Sequence, residues 1–551
     1  MGIFSRILHP FSSGPNAGGS SLPPAPRELL GQYSLDVNNE VITVSDALKS
    51  DVGVLQWIEE LRETGDLKYL RVDWAPLSAV GEKLAHAHHS ATVIHTENDR
   101  DMRGAALDLL KWGNDLGASD IHIRVLSRFA VIEVRLDNQI LEAREITTGY
   151  ADKLMRGLYN LSPNRGATYS ETSSQDAAIG GPVLRGTGLV NVRIVHGPCA
   201  PISDAGHFMI LRLQSSDNGR VRNAVEISKL RPVKIPDGAL DLESQGWTAE
   251  QSELLQEFIL APTGSIVLTG PPGSGKTHVM HALSAHRQRV MPGQRQVFVE
   301  QPVELIAPWA IQLDIANTLD AKATGEAYAA RTRQALRMDT NFLGLGEIRD
   351  AYIARIWLEA ANGGMSMMTT MHTSSPFEVP SRLRDMDPDG LNFSVICNTA
   401  IISGLVAMRL VPLVCPHCAV PWTVDDSRFP PRVRQAIVSW SRGRSTDHLR
   451  RVGPGCDHCS RTGYAGRRVV AEVVDADEEL MGDFIEFGAT VARHRYHARP
   501  SADTTMLEKA MVLVSQGALD PFDARMTGRI RSYDDLMHER ELGQRPPGAH
   551  H

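Results

Sequence analysis

Four residues within Leu268-Thr-Gly-Pro-Pro-Gly-Ser-Gly-Lys-Thr277, namely Gly270, Gly275, Lys276 and Thr277, meet the pattern G-x-x-x-x-G-K-[ST]. The chemistry of that pattern is the grip of a nucleotide's phosphates. Gly270, Gly273 and Gly275, with Ser274 among them, let successive backbone N–H groups turn inward, and the helix that must follow adds partial positive charge. Lys276 would then reach the β- and γ-phosphates, and the Thr277 hydroxyl would hold Mg²⁺. Two carboxylates close apolar runs elsewhere: Glu347 ends Phe342-Leu-Gly-Leu-Gly-Glu347, and Glu300 ends Val297-Phe-Val-Glu300. A carboxylate at that place orients and polarises an attacking water. Ligands in open α/β sheets collect outside the carboxyl ends of strands, so the two acids are expected to converge there. His372, in Met368-Thr-Thr-Met-His-Thr373, would sense the γ-phosphate or bond the water; a satisfied core histidine is the competing reading.

A second chemistry lies in Cys415-Pro-His-Cys418 and Cys456-Asp-His-Cys459. Each C-x-x-C places two thiolates on one tight turn, and two such turns complete a closed, structural tetrahedral Zn²⁺ site. His417 and His458 are substitute ligands, and redox-active pairs are the alternative, though no thioredoxin-like βαβ context surrounds them. Cys199 and Cys397 stand alone and read as buried structural thiols.

These residues need elements to hold them. Ser265–Thr269 is an apolar run suited to a buried parallel strand, and His278–His286 suits a helix, which is the setting a phosphate loop requires. With 551 residues the chain is too long for one hydrophobic core. At 42% hydrophobic and 22% charged residues it has the composition of a globular protein, and its formal net charge of −8 argues against general affinity for nucleic acid. No apolar run is long enough to span a membrane. Residues 1–27, rich in Pro, Gly and Ser, read as a flexible leader, in which Ile3–Leu8 would otherwise form a turn or two on a membrane surface. A first module follows over 28–100, with helical periodicity at Val54–Leu61 and a His86-Ala-His-His89 cluster that reads as a solvated helix end. A second lobe covers 101–235, with a helix at Met102–Trp112 and alternating, sheet-like Ala130–Leu136. Residues 236–250 read as a linker, 251–410 as the nucleotide core, 411–475 as the cysteine-bearing segment, 476–540 as a helical region and 541–551 as a tail.

The motif order GASDIHI, LTGPPGSGKT, VFVEQPVEL, LRMDTNFLGLGEIRD, TTMHTSS, GLVAMRLVPLVCPHC and GYAGRRVVAEVV resembles the type II secretion and type IV pilus assembly ATPases over about residues 100–530. The resemblance implies an α/β fold: a RecA-like P-loop ATPase domain, preceded by a PAS-like α+β lobe, with a zinc-binding insertion and a helical C-terminal region. It implies a homohexamer in which ATP turnover moves two lobes per subunit as rigid bodies, the N-terminal lobe docking on the neighbour's nucleotide domain. Glu300 falls in the family's acidic box, Glu347 in Walker B as the catalytic carboxylate, and His372 in the histidine box. Arg193 and Arg212 are the lobe arginines that would be offered to the phosphates, with structural salt bridges as the other reading. The resemblance further implies ATP, Mg²⁺ and Zn²⁺, a cytoplasmic place against the inner membrane held through an inner-membrane platform protein, and another apparatus protein bound by residues 28–100. Zinc segment and first module together suggest an assembly or secretion motor, and the divergent boxes around Gln301 and Met365 suggest a specialised one, of a type IVb or plasmid-encoded thin pilus.

Three departures from the family pattern stand out. Gln301 replaces the Asp of Glu-Asp-Pro, Met365 replaces the first histidine of the histidine box, and Thr340-Asn341 replaces Pro-Asp. They bear on the rate more than the reaction. A catalytically weak nucleotide-gated scaffold and a DNA-transfer ATPase of the related conjugation branch remain the alternatives.

Overall fold

The computed structural model describes residues 33–36, 41–49, 52–63, 71–76 and 99–543, apart from 128, 164–167, 202–204, 217–223, 234, 236–241 and 316–320. The expected leader, the tail and the His86–His89 cluster lie outside the described residues. The chain divides into two units, residues 1–98 and 99–551.

In the first unit, strands β1 (Tyr33–Asp36), β2 (Val41–Ser45) and β3 (Arg71–Ala75) form one sheet, with β2 central. The helix Val52–Glu63 buries Val54, Trp57, Ile58 and Leu61 together with Ile42 and Val44 of β2. That spacing is one face of a helix meeting one face of a strand.

The second unit opens with an α+β lobe. Its sheet, in the order β10 (Arg231–Pro232), β6 (Gln139–Ile146), β5 (Ala130–Leu136), β4 (Asp120–Val125), β9 (His207–Ser215), β8 (Leu189–Pro198), β7 (Gln175–Gly180), is antiparallel throughout. Alternation divides its central strands. Ile121, Ile123, Ile132 and Val134 pack with Leu110, Leu154 and Leu158 of the helices Asp99–Leu116 and Thr148–Asn160. The interleaved His122, Arg124, Glu133 and Arg135 are also buried, on the opposite face. What covers them is the nucleotide core: Arg124 donates to Pro308 O at 2.9 Å and Ala310 O at 3.2 Å, and Arg295 ion-pairs with Glu133. Two layers cannot bury a row of charges without partners. Here Glu133 pairs with both Arg124 and Arg295.

The core is a seven-stranded sheet in the order β13 (Ala310–Asp314), β12 (Gln296–Glu300), β14 (Phe342–Glu347), β15 (Ser366–Met371), β11 (Gly264–Thr269), β16 (Ile402–Val414), β19 (Tyr464–Asp475). All pairs are parallel except β16 with β19. This is the RecA-like arrangement. One face carries the cluster of Val267, Leu343, Leu345 and Trp357, the other that of Ile266, Leu268, Val279 and Phe298, so the strands are apolar on both sides as buried parallel strands are. Because the sheet is parallel, the carboxyl ends of β11, β12, β14 and β15 open at one edge.

The core sheet runs past residue 410. The cysteine-bearing segment is an insertion between β16 and β19, which pair from Gly404–Asp475 to Val414–Tyr464. Within it lie β17 (Val420–Pro421), β18 (Arg450–Arg451) and the helix Pro431–Ser439. Helices Glu478–His497, Met506–Ser515 and Tyr533–Gly543 close the described chain.

Candidate nucleotide and metal sites

The phosphate loop leaves the end of β11 and enters the helix Lys276–Val290 directly. At Gly270 a Cβ would lie 2.5 Å from Met408 O, so the strand neighbour leaves no room for one. Gly275, at φ 93°, is the left-handed residue that starts the helix. Ser274 Oγ is buried in the loop with no hydrogen-bond partner, a donor for an anion's oxygen. Lys276 lies across the mouth, its ammonium donating to Gly270 O at 2.8 Å and Pro271 O at 3.2 Å. Burial lowers its pKa, and Glu347 opposes that.

His372, just past β15, joins the loop to the acid. Its Nδ1 stands 2.8 Å from Gly270 O and 3.4 Å from Lys276 Nζ, and its Nε2 3.2 Å from Glu347 Oε1. The imidazole is therefore engaged at both ends rather than packed in the core. Asp350 of the same Gly-Glu-Ile-Arg-Asp stretch caps the helix Ala351–Asn362, accepting from Tyr352 N at 2.9 Å and Ile353 N at 3.0 Å.

Glu300 does not join this group. Strand alternation puts Gln296, Phe298 and Glu300 on the face toward the helix Lys276–Val290. There Glu300, 4% exposed, accepts from Gln312 Nε2 at 2.8 Å and faces His281 Nε2 at 3.9 Å. The acid that meets the loop is Glu304, whose Oε2 accepts from Thr277 Oγ1 at 3.0 Å. Glu304 lies in the same Val297–Glu304 stretch, and only the turn after β12 brings it forward. Next to it, Gln301 Oε1 accepts from Arg349 at 2.8 Å, so a neutral amide holds that guanidinium. Thr277 and Glu304 are both oxygen donors, which suits Mg²⁺.

The two lobe arginines are direct cross-strand neighbours, Arg193 on β8 opposite Arg212 on β9. Arg193 is exposed. Arg212 is held by Asp120 at 3.0 Å and Asp339 at 2.9 Å, and Arg135 ion-pairs with the same Asp339. Through this face the lobe packs on the core of its own chain. Asn341, from the divergent Thr340-Asn341, accepts from Arg135 at 2.7 Å.

The four cysteines meet. Sγ atoms of Cys415 and Cys456, Cys418 and Cys459, and Cys456 and Cys459 are each 3.8 Å apart, and all four sulfurs lie within 4.8 Å of one another. A tetrahedron with metal–sulfur bonds of about 2.3 Å has edges of about 3.8 Å, so the set fits Zn²⁺. Amides of Cys456 and Gly463 lie 3.2 Å from Cys459 Sγ, and they pull that thiol down to about 6. His417 and His458 lie ring to ring, centroids 4.0 Å apart, outside the sulfur cluster. Cys199 and Cys397 are buried and free, their thiols pushed up to about 12 by burial.

Comparison with known proteins adds the family. The family described as Type II/IV secretion system protein matches residues 114–523. Type II secretion system protein E of Aeromonas hydrophila is 29% identical over 367 residues, 66% of this chain and 63% of that protein. Type II secretion system ATPase E of Vibrio cholerae is 28% identical over 369 residues, again 66% and 63%. Type IV pilus assembly ATPase PilB of Thermus thermophilus is 28% identical over 292 residues, 53% of this chain and 31% of that protein. The chain spans less than two thirds of these relatives' own length.

Proposed function

The chain belongs to the Type II/IV secretion system protein family, and on that premise we propose that it hydrolyses ATP to drive assembly of a type IV pilus or a type II secretion pseudopilus. The observation that carries this reading is the continuous contact from Lys276 through His372 to Glu347, set beside Thr277 and Glu304 at the open edge of the parallel sheet. On ATP binding, the loop amides and Ser274 Oγ donate to phosphate oxygens, and Lys276 exchanges its carbonyl acceptors for them. Mg²⁺, when bound, neutralises charge developing on the phosphates. Thr277 and Glu304 are the residues that would hold it. Glu347 polarises the attacking water, and His372 fixes the carboxylate's orientation while remaining bonded to the loop. Glu300 acts from behind, as a buried acid under the phosphate-loop helix.

Arg193 and Arg212 supply positive charge to the phosphates when lobe and core close. Arg212 has first to leave Asp120 and Asp339, so nucleotide and Asp339 compete for one guanidinium. The working form is a homohexamer in which each lobe docks on a neighbouring core, moving an inner-membrane platform protein. The first unit binds a cytoplasmic domain of another apparatus protein. Cys415, Cys418, Cys456 and Cys459 hold a structural Zn²⁺. No helix among the described residues is long and apolar enough to cross a membrane. On this reading membrane attachment runs through protein partners.

Steady-state ATP hydrolysis by wild type and Glu347→Gln tests the reading. The substitution should lower kcat by about 10²-fold or more while ATP binding persists. Wild type that binds ATP but shows no turnover, even with its membrane partner added, would point instead to the nucleotide-gated scaffold.

A further inference from the structure

Against the phosphate loop, with neither Thr277 nor Glu304 in its lining, lies a cleft of about 640 Å³. Gly270, Pro271 and His372 form its wall toward the nucleotide site; Ser381, Arg382 and Arg409 line it too. Its size is that of a ligand site rather than a packing defect. Two cations face it. Arg409 lies on β16 two residues beyond Ala407, which pairs with Thr269, so the strand carries its guanidinium past the end of β11 and alongside the loop. Arg409 is half-buried and donates to the adjacent carbonyl of Met408 at 2.9 Å. Among the described residues neither Arg409 nor Arg382 is in an ion pair; Asp385, which also lines the cleft, pairs with Arg384 at 2.8 Å. Glu378 on the same wall turns its carboxylate to Ser374, accepting from its N at 3.1 Å and its Oγ at 2.9 Å. Glu378 acts on Arg409 electrostatically without pairing with it, so the half-buried guanidinium keeps N–H donors free for an anion.

We propose that this cleft binds inorganic phosphate, the hydrolysis product, and that Arg409 is its principal ligand, with Arg382 and Ser381 completing the site. His372 is then the shared wall between cleavage and release: one face touches the loop and Glu347, the other the departing anion. A phosphate dianion matches a planar guanidinium bidentately, and serine hydroxyls supply further donors. The cleft is larger than one phosphate ion, which leaves room for water to rehydrate it on the way out. The inference rests on the ATP-hydrolysis reading only for the source of the anion; the binding itself is independent of turnover.

The test is titration of inorganic phosphate into the full-length protein saturated with MgADP, read by calorimetry or ³¹P line broadening. Wild type should bind one phosphate saturably. Arg409→Gln should weaken binding at least tenfold, Arg409→Lys less, and the exposed Arg382→Gln about threefold. Saturating MgADP occupies the phosphate loop itself, so the phosphate read in this titration is not the one the loop would hold. Unchanged affinity in Arg409→Gln, or phosphate that competes with ADP, overturns the proposal. Because Arg382 is at the surface, its variant reports on the cleft even where Arg409→Gln misfolds. Wild type that hydrolyses ATP yet binds no phosphate sinks the cleft alone. Phosphate binding without hydrolysis sinks the ATPase reading alone.

Discussion

Thr277 Oγ1 donates to Glu304 at 3.0 Å and is oriented by it, and on the proposed reading this pair would hold Mg²⁺. Replacing Glu304 by Gln keeps an acceptor and removes the charge. The Mg²⁺ concentration for half-maximal activity, or for MgADP binding, should rise by about tenfold or more, because the charge is lost while Thr277 keeps its orienting acceptor. An unchanged Mg²⁺ titration would leave Thr277 without need of the acid. Glu300 shows why residue type alone was an incomplete guide. Both acids sit in Val-Phe-Val-Glu-Gln-Pro-Val-Glu, and the alternation of β12 sends the first under the helix while the turn brings the second to the loop. His372 and Glu347 were legible because each follows its own short apolar strand, and parallel strands deliver their ends to a common edge.

At the scale of elements, the antiparallel pair β16 and β19 does for the cysteines what the parallel strands do for the phosphates. Cys415 follows β16, Cys459 precedes β19, and Cys415 N donates to Gly463 O at 2.9 Å, so the two turns close on each other. A Cys456→Ser chain should lose stoichiometric zinc, measured by elemental analysis. Limited proteolysis should then cut within residues 415–463, while β16 and β19, anchored in the core sheet, stay protected. Full zinc content in that variant would refute the four-sulfur site. Each C-x-x-C was readable by itself; that the intervening segment is an insertion between two paired core strands was not, because pairing at such separation leaves no local periodicity.

For the whole second unit, the lobe–core contact is ionic and buried, and it predicts a pH dependence. Burial, reinforced by Arg295 and three further arginines, holds the His122 pKa well below its usual range, and burial pushes His196 down to about 3. Both rings are neutral in the folded chain, whereas in the unfolded chain they take up protons below about pH 6.5. Their contribution to stability is therefore complete above that pH and falls as the pH drops, by about 1.4 kcal/mol per unit for each ring. Urea unfolding at pH 7.5 and 5.5 should differ by about 3 kcal/mol from these two groups together. His122→Gln, whose amide oxygen can still accept from Arg295, should remove about half of that difference. A pH-independent midpoint would contradict the buried, neutral rings. Glu133 adds nothing in this window: Arg124 and Arg295 hold its pKa below the ordinary carboxylate value despite its burial, so its share is lost only under stronger acid.

The residues that act through the backbone next to them were determined by sequence alone: the phosphate loop, with glycines at its sharp turns and a strand and helix on either side, and the two C-x-x-C turns. Short-range sterics dictate those conformations wherever they occur. Tertiary structure decided which distant groups meet them. It chose Glu304 over Glu300, tied Arg212 to Asp339, set His372 between Lys276 and Glu347, and left Arg409 facing a cleft outside any ion pair. Those choices follow from strand order, strand parity and the burial of one lobe's charged face on the other. Each is a property of packed layers, and no short stretch of residues carries it.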